Sequence, residues 1–385
     1  MRKPIPYGRQ FVSQADKHAV MEVLGSDFLT TGPLVDEFES KFADYVGSKY
    51  AVAVSNGTAA LHLCALALGV DENSQVITTP ITFAASANCI RYCGGKLKFI
   101  DIQADNLLID LDILEACLKE NPSGTFSGVV SVDFAGYPVD LERLRRICDE
   151  HKLWIIEDSC HAPGGYFTDS TGIKQSCGNG QFADLAIFSF HPVKHIACGE
   201  GGMITTDEPD LYASLKRLRS HGITRDPVLL NENHGGWYYE MIELGYNYRI
   251  PDILCALGIS QLSRAEINLN RRKEIAEIYD RAFSNLPVDI HKPKSKQIGH
   301  AYHLYVIEVE DRKGLYDYLR ENQIHAQVHY VPVHTLPYYH SLGYEKGIAP
   351  VAERYYSRCI SLPMYPSLKN EEQDYVIQKI NDFFK

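Results

Sequence analysis

The sequence predicts an α/β fold built around one large, mostly parallel β-sheet. Seven short runs of apolar or β-branched residues lie between residues 50 and 206, and most are hydrophobic throughout, which is typical of strands covered on both faces. Helical patterns, such as the one at residues 141–152, fill the gaps between them. A chain of 385 residues also exceeds what a single hydrophobic core usually fills, so we expect a second, smaller domain.

The predicted strands of the large sheet follow one another with glycine or proline between the elements. Ligands of such sheets bind beyond the carboxyl ends of the strands, so the loops that follow the strands are where functional residues are expected. In chain order, the predicted strands are residues 50–54, 75–79, 97–100, 128–132, 153–157, 185–189 and 202–206.

The pattern changes after Pro251. A long helical stretch runs through Tyr279, a connector rich in proline and lysine follows, and a strand is predicted at residues 302–308. We therefore predict a large domain over residues 1–250, which includes an N-terminal arm, and a smaller C-terminal α/β domain over residues 251–385.

The charge and composition exclude several classes of partner. The formal net charge is −11, and the chain has no run of more than three consecutive lysine or arginine residues, so nucleic acid is not an expected partner. The N-terminus lacks the apolar stretch of an export signal, and no segment is apolar over the roughly 18 residues that span a bilayer. We therefore predict a cytoplasmic protein that does not contact the membrane.

The ten cysteines support the same location, because they are scattered and fit reduced thiols in a cytosolic protein. Cys89 and Cys93 are spaced like zinc ligands, but a second pair is missing downstream, so no metal is predicted.

The first loop with chemical character follows the strand at residues 50–54. The run Ser55-Asn56-Gly57-Thr58 opens an apolar helical pattern, and the backbone N–H groups at Gly57 and Thr58, with the Thr58 hydroxyl, suit a phosphate at a helix N-terminus. A simple helix cap by Asn or Thr explains the same residues equally well.

Asp158 lies at the end of the strand predicted at residues 153–157. A carboxylate there is costly unless it meets a cation or several hydrogen-bond donors, and a protonated pyridine nitrogen is such a cation. His161, three residues further on, could then reach the phenolic oxygen or the face of the same ring. The alternative is an aspartate that accepts local backbone hydrogen bonds in a turn.

The most specific signal is the segment from Phe188 to Gly202. Lys194 lies between a strand end and the glycines at 199, 201 and 202, with apolar neighbours that can desolvate its amine enough for it to form a Schiff base. Ser189 would add a hydroxyl for a phosphate. The alternative for Lys194 is an exposed surface lysine.

With these residues in place, the sequence resembles the DegT/StrS-type nucleotide-sugar aminotransferases, which are enzymes of the PLP-dependent transferase fold type I. Six ordered motifs spread over nearly the whole chain carry the resemblance. They are Thr30-Thr31-Gly32-Pro33, Asn56-Gly57-Thr58, the run from Pro80 to Asn88, the Asp158 segment, the Lys194 segment and Gly245-Tyr246-Asn247-Tyr248-Arg249.

The resemblance implies a cofactor, pyridoxal 5′-phosphate (PLP), and a set of roles. Lys194 would hold PLP as a Schiff base and act as the catalytic acid and base, Asp158 would pair with the pyridine nitrogen, and His161 would contact the ring. The family often has Gln where this chain has His161. Further cofactor contacts would come from Phe83, which stacks on the ring, and from the phosphate ligands Gly57, Thr58 and Ser189.

The same resemblance implies a homodimer with shared active sites, because Asn247 would reach the phosphate from the neighbouring subunit. Arg249 lies two residues after Asn247 and is a candidate for binding the carboxylate of the donor, L-glutamate, although Arg9 and Arg225 are also available. A dimer-interface ion pair would explain Arg249 equally well.

Within the family, the chain resembles the UDP-4-amino-4,6-dideoxy-N-acetyl-β-L-altrosamine transaminases of pseudaminic acid synthesis. The resemblance lies at residues 131–136, 190–194 and 327–334. It implies amination of the C4 ketone of a UDP-linked 4-keto-6-deoxy-N-acetylhexosamine. The implied substrate contacts are Thr31, His191, Arg249, His329 and Tyr330, although packing between the domains would account for Tyr330 as well.

Three other functions remain open at this point. The chain could aminate another nucleotide-linked ketosugar, at C3 or C4 and carried by UDP or dTDP. It could be a PLP-binding regulatory protein or a dehydratase, but the related dehydratases have His in place of the lysine, so Lys194 favours amino transfer. A protein without any cofactor is the third alternative.

Overall fold

The computed structural model describes residues 3–385. Its strands, in chain order, are β1 (Ile5–Pro6), β2 (Tyr50–Val54), β3 (Gln75–Thr78), β4 (Lys96–Phe99), β5 (Gly128–Val132), β6 (Trp154–Asp158), β7 (Tyr166–Thr168), β8 (Lys174–Ser176), β9 (Leu185–Ser189), β10 (Gly202–Thr206), β11 (Ile223–Thr224), β12 (Glu240–Met241), β13 (Asp289–Ile290), β14 (Ile298–Gly299), β15 (Tyr305–Glu308), β16 (Ile324–His325) and β17 (Cys359–Leu362).

Helices separate most of these strands. In chain order they are α1 (Gln14–Leu24), α2 (Pro33–Val46), α3 (Gly57–Ala67), α4 (Ala85–Tyr92), α5 (Leu111–Glu120), α6 (Leu141–His151), α7 (Pro209–Leu218), α8 (Asp252–Leu262), α9 (Ala265–Phe283), α10 (Arg312–Glu321), α11 (Pro337–Ser341), α12 (Pro350–Arg358) and α13 (Asn370–Phe383).

The large sheet has seven strands in the order β2-β10-β9-β6-β5-β3-β4. All pairs are parallel except those of β10, which runs antiparallel to both β2 and β9. The predicted α/β fold with a mostly parallel seven-stranded sheet is therefore confirmed, and no predicted strand of this sheet differs from the observed one by more than one residue at either end. The strand predicted at residues 302–308 is shorter in the structure, since β15 begins at Tyr305.

Both faces of this sheet are covered, as the continuous apolar runs predict. Val129 and Val130 are adjacent on β5 and both are fully buried, yet they pack into two different hydrophobic clusters. Successive side chains of a strand point to opposite faces, so one cluster lies on each side of the sheet.

A second hydrophobic core is formed mainly by residues 275–380. It contains Tyr279 from α9, Tyr305 from β15 and Ile360 from β17, and it also takes in Ile5 from the N-terminal arm. Ile5 reaches it because β1 pairs in parallel with β16. The division into domains at residues 250 and 251 stays a prediction.

The helical stretch predicted after Pro251 is two helices. α8 ends at Leu262 and α9 begins at Ala265, and the Ser263 hydroxyl donates to the Ser260 carbonyl at 2.7 Å. A serine that bonds to a carbonyl of the preceding turn competes with the helical backbone, which fits a break at this point. Among the helices of residues 3–385, none is both long enough and apolar enough to cross a membrane.

Candidate active site

A cavity of about 920 Å³ opens at the carboxyl edge of the large sheet. Three strands end at it, since Val132 closes β5, Asp158 closes β6 and Ser189 closes β9. Segments from the C-terminal half form the opposite wall. The predicted site residues that line it are Gly57, Thr58, Phe83, Asp158, His161, Ser189, His191, Lys194, His329 and Tyr330.

One end of the cavity is the N-terminus of α3. The Asn56 side chain caps this helix by accepting from the N–H of Ala59 at 2.8 Å, and its carbonyl accepts from the N–H of Ala60. The N–H groups of the first helical residues, Gly57 and Thr58, have no partner within a helix, so they can meet an anion together with the Thr58 hydroxyl. The two readings of this loop, a cap and a phosphate site, are therefore compatible.

Glycine at position 57 is required by the crowding at this end. A Cβ atom there would lie 3.0 Å from the Cβ of Ser189 and 3.5 Å from the Sγ of Cys160. Gly202, the first residue of β10, packs against the same turn. A Cβ atom on it would lie 2.6 Å from the carbonyl carbon and oxygen of Asn56, so glycine is required there as well. Both positions leave the space that a phosphate and its turn need.

Asp158 lines the cavity and is only 6% exposed. Its Oδ2 accepts from the Ser86 hydroxyl at 2.6 Å, and its Oδ1 accepts from the N–H of Cys160 at 3.2 Å. Because Ser86 gives its proton to Asp158, the Thr82 hydroxyl, 2.7 Å away, donates to Ser86. These neutral donors fix the carboxylate and leave it able to face a protonated ring nitrogen.

Lys194 lies half-buried in the loop that connects β9 to β10. Its N–H donates to the His191 carbonyl at 2.8 Å, which closes a tight turn. Burial lowers the pKa of the amine below its usual value, while Cys160 and Asp158 oppose that change. A smaller pKa gives a larger neutral fraction of the amine, which is the form that attacks a carbonyl.

His161 uses both of its ring nitrogens inside the protein. Nδ1 accepts from the N–H of Ala135 at 3.2 Å, and Nε2 lies 3.2 Å from the Tyr330 hydroxyl. Burial, with Lys194 as the next contribution, holds the pKa of His161 well below its ordinary range, so the ring is neutral. The ring of His303 stacks on its other side, with 4.3 Å between centroids.

The C-terminal half contributes the segment from Gln327 to Tyr330. His329 is buried, its Nδ1 lies 2.8 Å from the Ser361 hydroxyl, and burial lowers its pKa to about 3. Tyr7 from the N-terminal arm lines the cavity beside it, with its ring 5.0 Å from that of His329. Phe83 covers the rim and is 62% exposed.

Three predicted site residues lie outside this cavity in the single chain. Thr31 is exposed and precedes Gly32, whose N–H donates to Asp252 at 2.8 Å. Asn247 is exposed and forms a β-bridge with Ser220, and Arg249 follows it. Their roles stay predictions, and the role of Asn247 requires a neighbouring subunit.

Several residues that line the cavity were not identified as site residues from the sequence. Ser86, Tyr7, His303, Gln327 and Glu200 line it, yet they come from a helix, the arm, a loop and two further segments far apart in the chain. Ser86 had the best signal, because it lies in the motif of residues 80–88. Tyr7 had none, because nothing in a seven-residue terminus predicts pairing with residues 324–325.

The donor set fits PLP. The glycine at 57 leaves room for a phosphate beside Ser189, Asp158 supplies an anion for the ring nitrogen, and Lys194 supplies an amine of lowered pKa. Among residues 3–385, one lysine, Lys194, lines the cavity, and no arginine lines it.

Comparison with known proteins agrees with this chemistry. Residues 11–381 match the DegT/DnrJ/EryC1/StrS aminotransferase family. The chain is 36% identical over 384 residues to the UDP-4-amino-4,6-dideoxy-N-acetyl-beta-L-altrosamine transaminase of Campylobacter jejuni, covering 97% of this chain and 95% of that protein. It is 33% identical to the GDP-perosamine synthase of Escherichia coli O157:H7, covering 99% of both.

Solved structures have the same fold. The Helicobacter pylori aminotransferase PseC, involved in the biosynthesis of pseudoaminic acid, is similar with a TM-score of 0.87 and 32% identity over 99% of each chain. Spr1654 of Streptococcus pneumoniae, solved in its PLP form, is similar with a TM-score of 0.89 and 29% identity over 98% of each chain. The chain therefore belongs to the DegT/DnrJ/EryC1/StrS aminotransferase family and is a PLP-dependent nucleotide-sugar aminotransferase.

Proposed function

We propose that this enzyme transfers the amino group of L-glutamate to the C4 ketone of a UDP-linked 4-keto-6-deoxy-N-acetylhexosamine, in the manner of pseudaminic acid synthesis. The similarity to the C. jejuni altrosamine transaminase and to H. pylori PseC supports this choice of substrate. The observation that carries the chemistry is the meeting of Lys194, Asp158 and the N-terminus of α3 in one cavity.

Each of these groups has a distinct task in the proposal. Gly57, Thr58 and Ser189 bind the phosphate of PLP, and Asp158 keeps its ring nitrogen protonated. Phe83, at the rim, covers the ring. Bound in this way, PLP supplies an electron sink that makes a proton on the neighbouring carbon of an amine acidic.

Lys194 moves that proton. Its Nζ takes the proton from the α-carbon of glutamate in the first half of the cycle, and in the second half it delivers a proton to C4 of the sugar. A single amine can serve both directions because burial lowers its pKa from the usual value, which makes the neutral, proton-accepting form easier to reach. His161 is neutral and stays so while Lys194 changes charge.

A second copy of the chain completes the site in this proposal. Glutamate and a nucleotide diphosphate are both anionic, yet among the described residues the cavity wall offers Lys194 and no arginine. Arg249 and the exposed Asn247 lie outside the cavity of their own chain, which supports their predicted role in the site of a partner. The free thiols of all ten cysteines support work in the cytoplasm.

The alternative is amination of another nucleotide-linked ketosugar, at C3 or C4. The similarity to GDP-perosamine synthase favours it, since that enzyme is named for a different nucleotide and sugar. A regulatory protein or a dehydratase is a weaker alternative, because Lys194 lies in the position that amino transfer needs.

A substrate panel tests the proposal directly. The purified holoenzyme is given glutamate with UDP-, GDP- and dTDP-linked 4-ketosugars, and the products are identified by mass spectrometry and NMR. We expect the UDP-linked N-acetylated 4-ketosugar to give the highest kcat/KM and an amine at C4. A higher kcat/KM with a GDP- or dTDP-linked sugar, or an amine at C3, would establish the alternative instead.

A further inference from the structure

The hydrogen bonds of His161 fix where the protons lie on one wall of the cavity. The N–H of Ala135 is a backbone donor and points at Nδ1 of His161 at 3.2 Å, so Nδ1 carries no proton. The neutral ring therefore has its proton on Nε2. That N–H donates to the Tyr330 oxygen, 3.2 Å away.

This arrangement leaves the proton of the Tyr330 hydroxyl for another acceptor. Tyr330 lines the cavity, and among residues 3–385 its hydroxyl has no partner besides His161. Burial raises its pKa above the ordinary value, so the phenol keeps its proton at neutral pH. Because Tyr330 lines the cavity, this proton can be donated to an acceptor that binds there.

Neighbouring rings hold the plane of the His161 ring, while the Ala135 N–H sets which of its nitrogens faces the backbone. His303 stacks on it at 28° between the ring planes, and the ring of Tyr330 lies at 21° to it on a centroid distance of 6.1 Å. The backbone of His303 is itself held, because the buried Arg272 donates to the carbonyls of Tyr302, His303 and Met364. The direction of the hydrogen bonds is therefore built into the packing.

We propose that Tyr330 is the hydrogen-bond donor of this wall and that His161 is a positioning residue that orients it. The acceptor is an oxygen without a proton, either the phenolic oxygen of PLP or the carbonyl oxygen of the sugar. This inference rests on the proposed function and deepens it. It differs from a direct contact of a His161 nitrogen with the cofactor, because both of those nitrogens are already occupied.

Three variants of the PLP-loaded enzyme test the idea. Tyr330→Phe removes the donor, and His161→Leu removes the group that orients it. His161→Gln keeps the pattern, since an amide oxygen can accept from Ala135 while the amide N–H donates to Tyr330. Tyr279→Phe is the control, because this buried tyrosine donates to the Pro363 carbonyl at 3.0 Å in the C-terminal core.

The first measurement is a pH titration of the visible absorbance of bound PLP without substrate. If the acceptor is the phenolic oxygen, Tyr330→Phe and His161→Leu raise the midpoint by about one pH unit, whereas His161→Gln and Tyr279→Phe match the wild type. The second is steady-state kinetics. If the acceptor is on the sugar, the midpoint stays and kcat/KM for the sugar falls about 10- to 100-fold in the first two variants alone.

Circular dichroism and PLP content establish that each variant is folded and loaded. A Tyr330→Phe enzyme with unchanged midpoint and unchanged kcat/KM would overturn the role of Tyr330, and a His161→Gln enzyme that behaves like His161→Leu would overturn the orienting role of His161. If Tyr330→Phe does not fold, the difference in midpoint and in kcat/KM between His161→Leu and His161→Gln still tests the proposal. Wild type that binds PLP but aminates no sugar refutes only the proposed function, because the absorbance measurement needs no substrate.

Discussion

Lys194 is the residue on which the activity depends most directly. Replacing it with alanine removes the amine that moves the proton, so we expect kcat to fall by at least about 10³-fold while PLP still binds at Gly57, Thr58 and Asp158. Borohydride reduction and peptide mapping should label position 194 in the wild type and leave the variant unlabelled. Lys17→Ala, an exposed change on α1, is the control. Normal turnover by Lys194→Ala would refute the assignment.

A second residue-scale feature is a pair of fully buried carboxyl groups. The Ser159 hydroxyl lies 2.6 Å from Asp133 and 2.8 Å from Glu157, and its one proton can serve only one of them. Burial and the neighbouring Asp133 raise the pKa of Glu157 well above its usual value, so Glu157 holds a proton. The N–H groups of Val139 and Gly178 also donate to Asp133 and Glu157, and the buried Cys177 lies beside the two carboxyl groups.

Glu157→Gln tests that protonation. A raised folded-state pKa means that stability is lost as the pH rises from 4.5 towards the folded pKa, and an amide has no such loss. At pH 7 we therefore expect the free energy of unfolding to be unchanged or higher in Glu157→Gln. Glu157→Leu should lose about 1–3 kcal/mol, because the Gly178 N–H loses its acceptor. Urea denaturation measures both, and a loss of that size in Glu157→Gln would contradict the protonated state.

At the scale of elements, the sequence predicts the strands of the large sheet well and the connections poorly. Most of these strands are short apolar runs that end at glycine or proline, and β2, β5, β9 and β10 have the predicted bounds. The break between α8 and α9 was missed, since the side-chain bond of Ser263 is a local event within a helical pattern. Lys194 and Asp158 follow strands and could be placed, whereas Ser86 and Tyr7 depend on tertiary contacts.

The N-terminal arm is the element whose effect on the site can be measured. Ile5 is 1% exposed in the C-terminal core, and Tyr7, two residues later, lines the cavity. We expect Ile5→Ala to lower the free energy of unfolding by about 2–5 kcal/mol and to raise KM for the sugar, because the arm is held less firmly. Val12→Ala, at a position 45% exposed, serves as the control. If Ile5→Ala is destabilised but its KM for the sugar is unchanged, the N-terminal arm does not contribute to substrate binding.

For the whole molecule, the buried histidines set the response to acid. Burial lowers the pKa of His300 and His329 to about 3, and it holds those of His161, His195 and His303 well below the ordinary value. The unfolded chain takes up protons near pH 6.5 and the folded chain does not. Stability is therefore full above pH 6.5 and is lost as the pH falls towards the folded pKa values.

Each such histidine contributes about 1.4 kcal/mol per pH unit within that window. We expect the free energy of unfolding, measured with urea, to fall steeply between pH 6 and pH 4 and to change little between pH 7 and pH 8. His300→Gln should reduce the slope by the share of one histidine. A flat profile from pH 7 to pH 5 would show that these rings are charged in the folded protein.

The pairing of β1 with β16 also determines where a label or a solid support can be attached to the enzyme. Tyr7 lines the cavity and lies four positions after Lys3, so a label attached at Lys3 would start within about 14 Å of Tyr7 along the chain. Lys385, exposed just beyond α13, offers a point of attachment on a different element. Immobilisation or fluorescent labelling for kinetic work is therefore better planned at the carboxyl end.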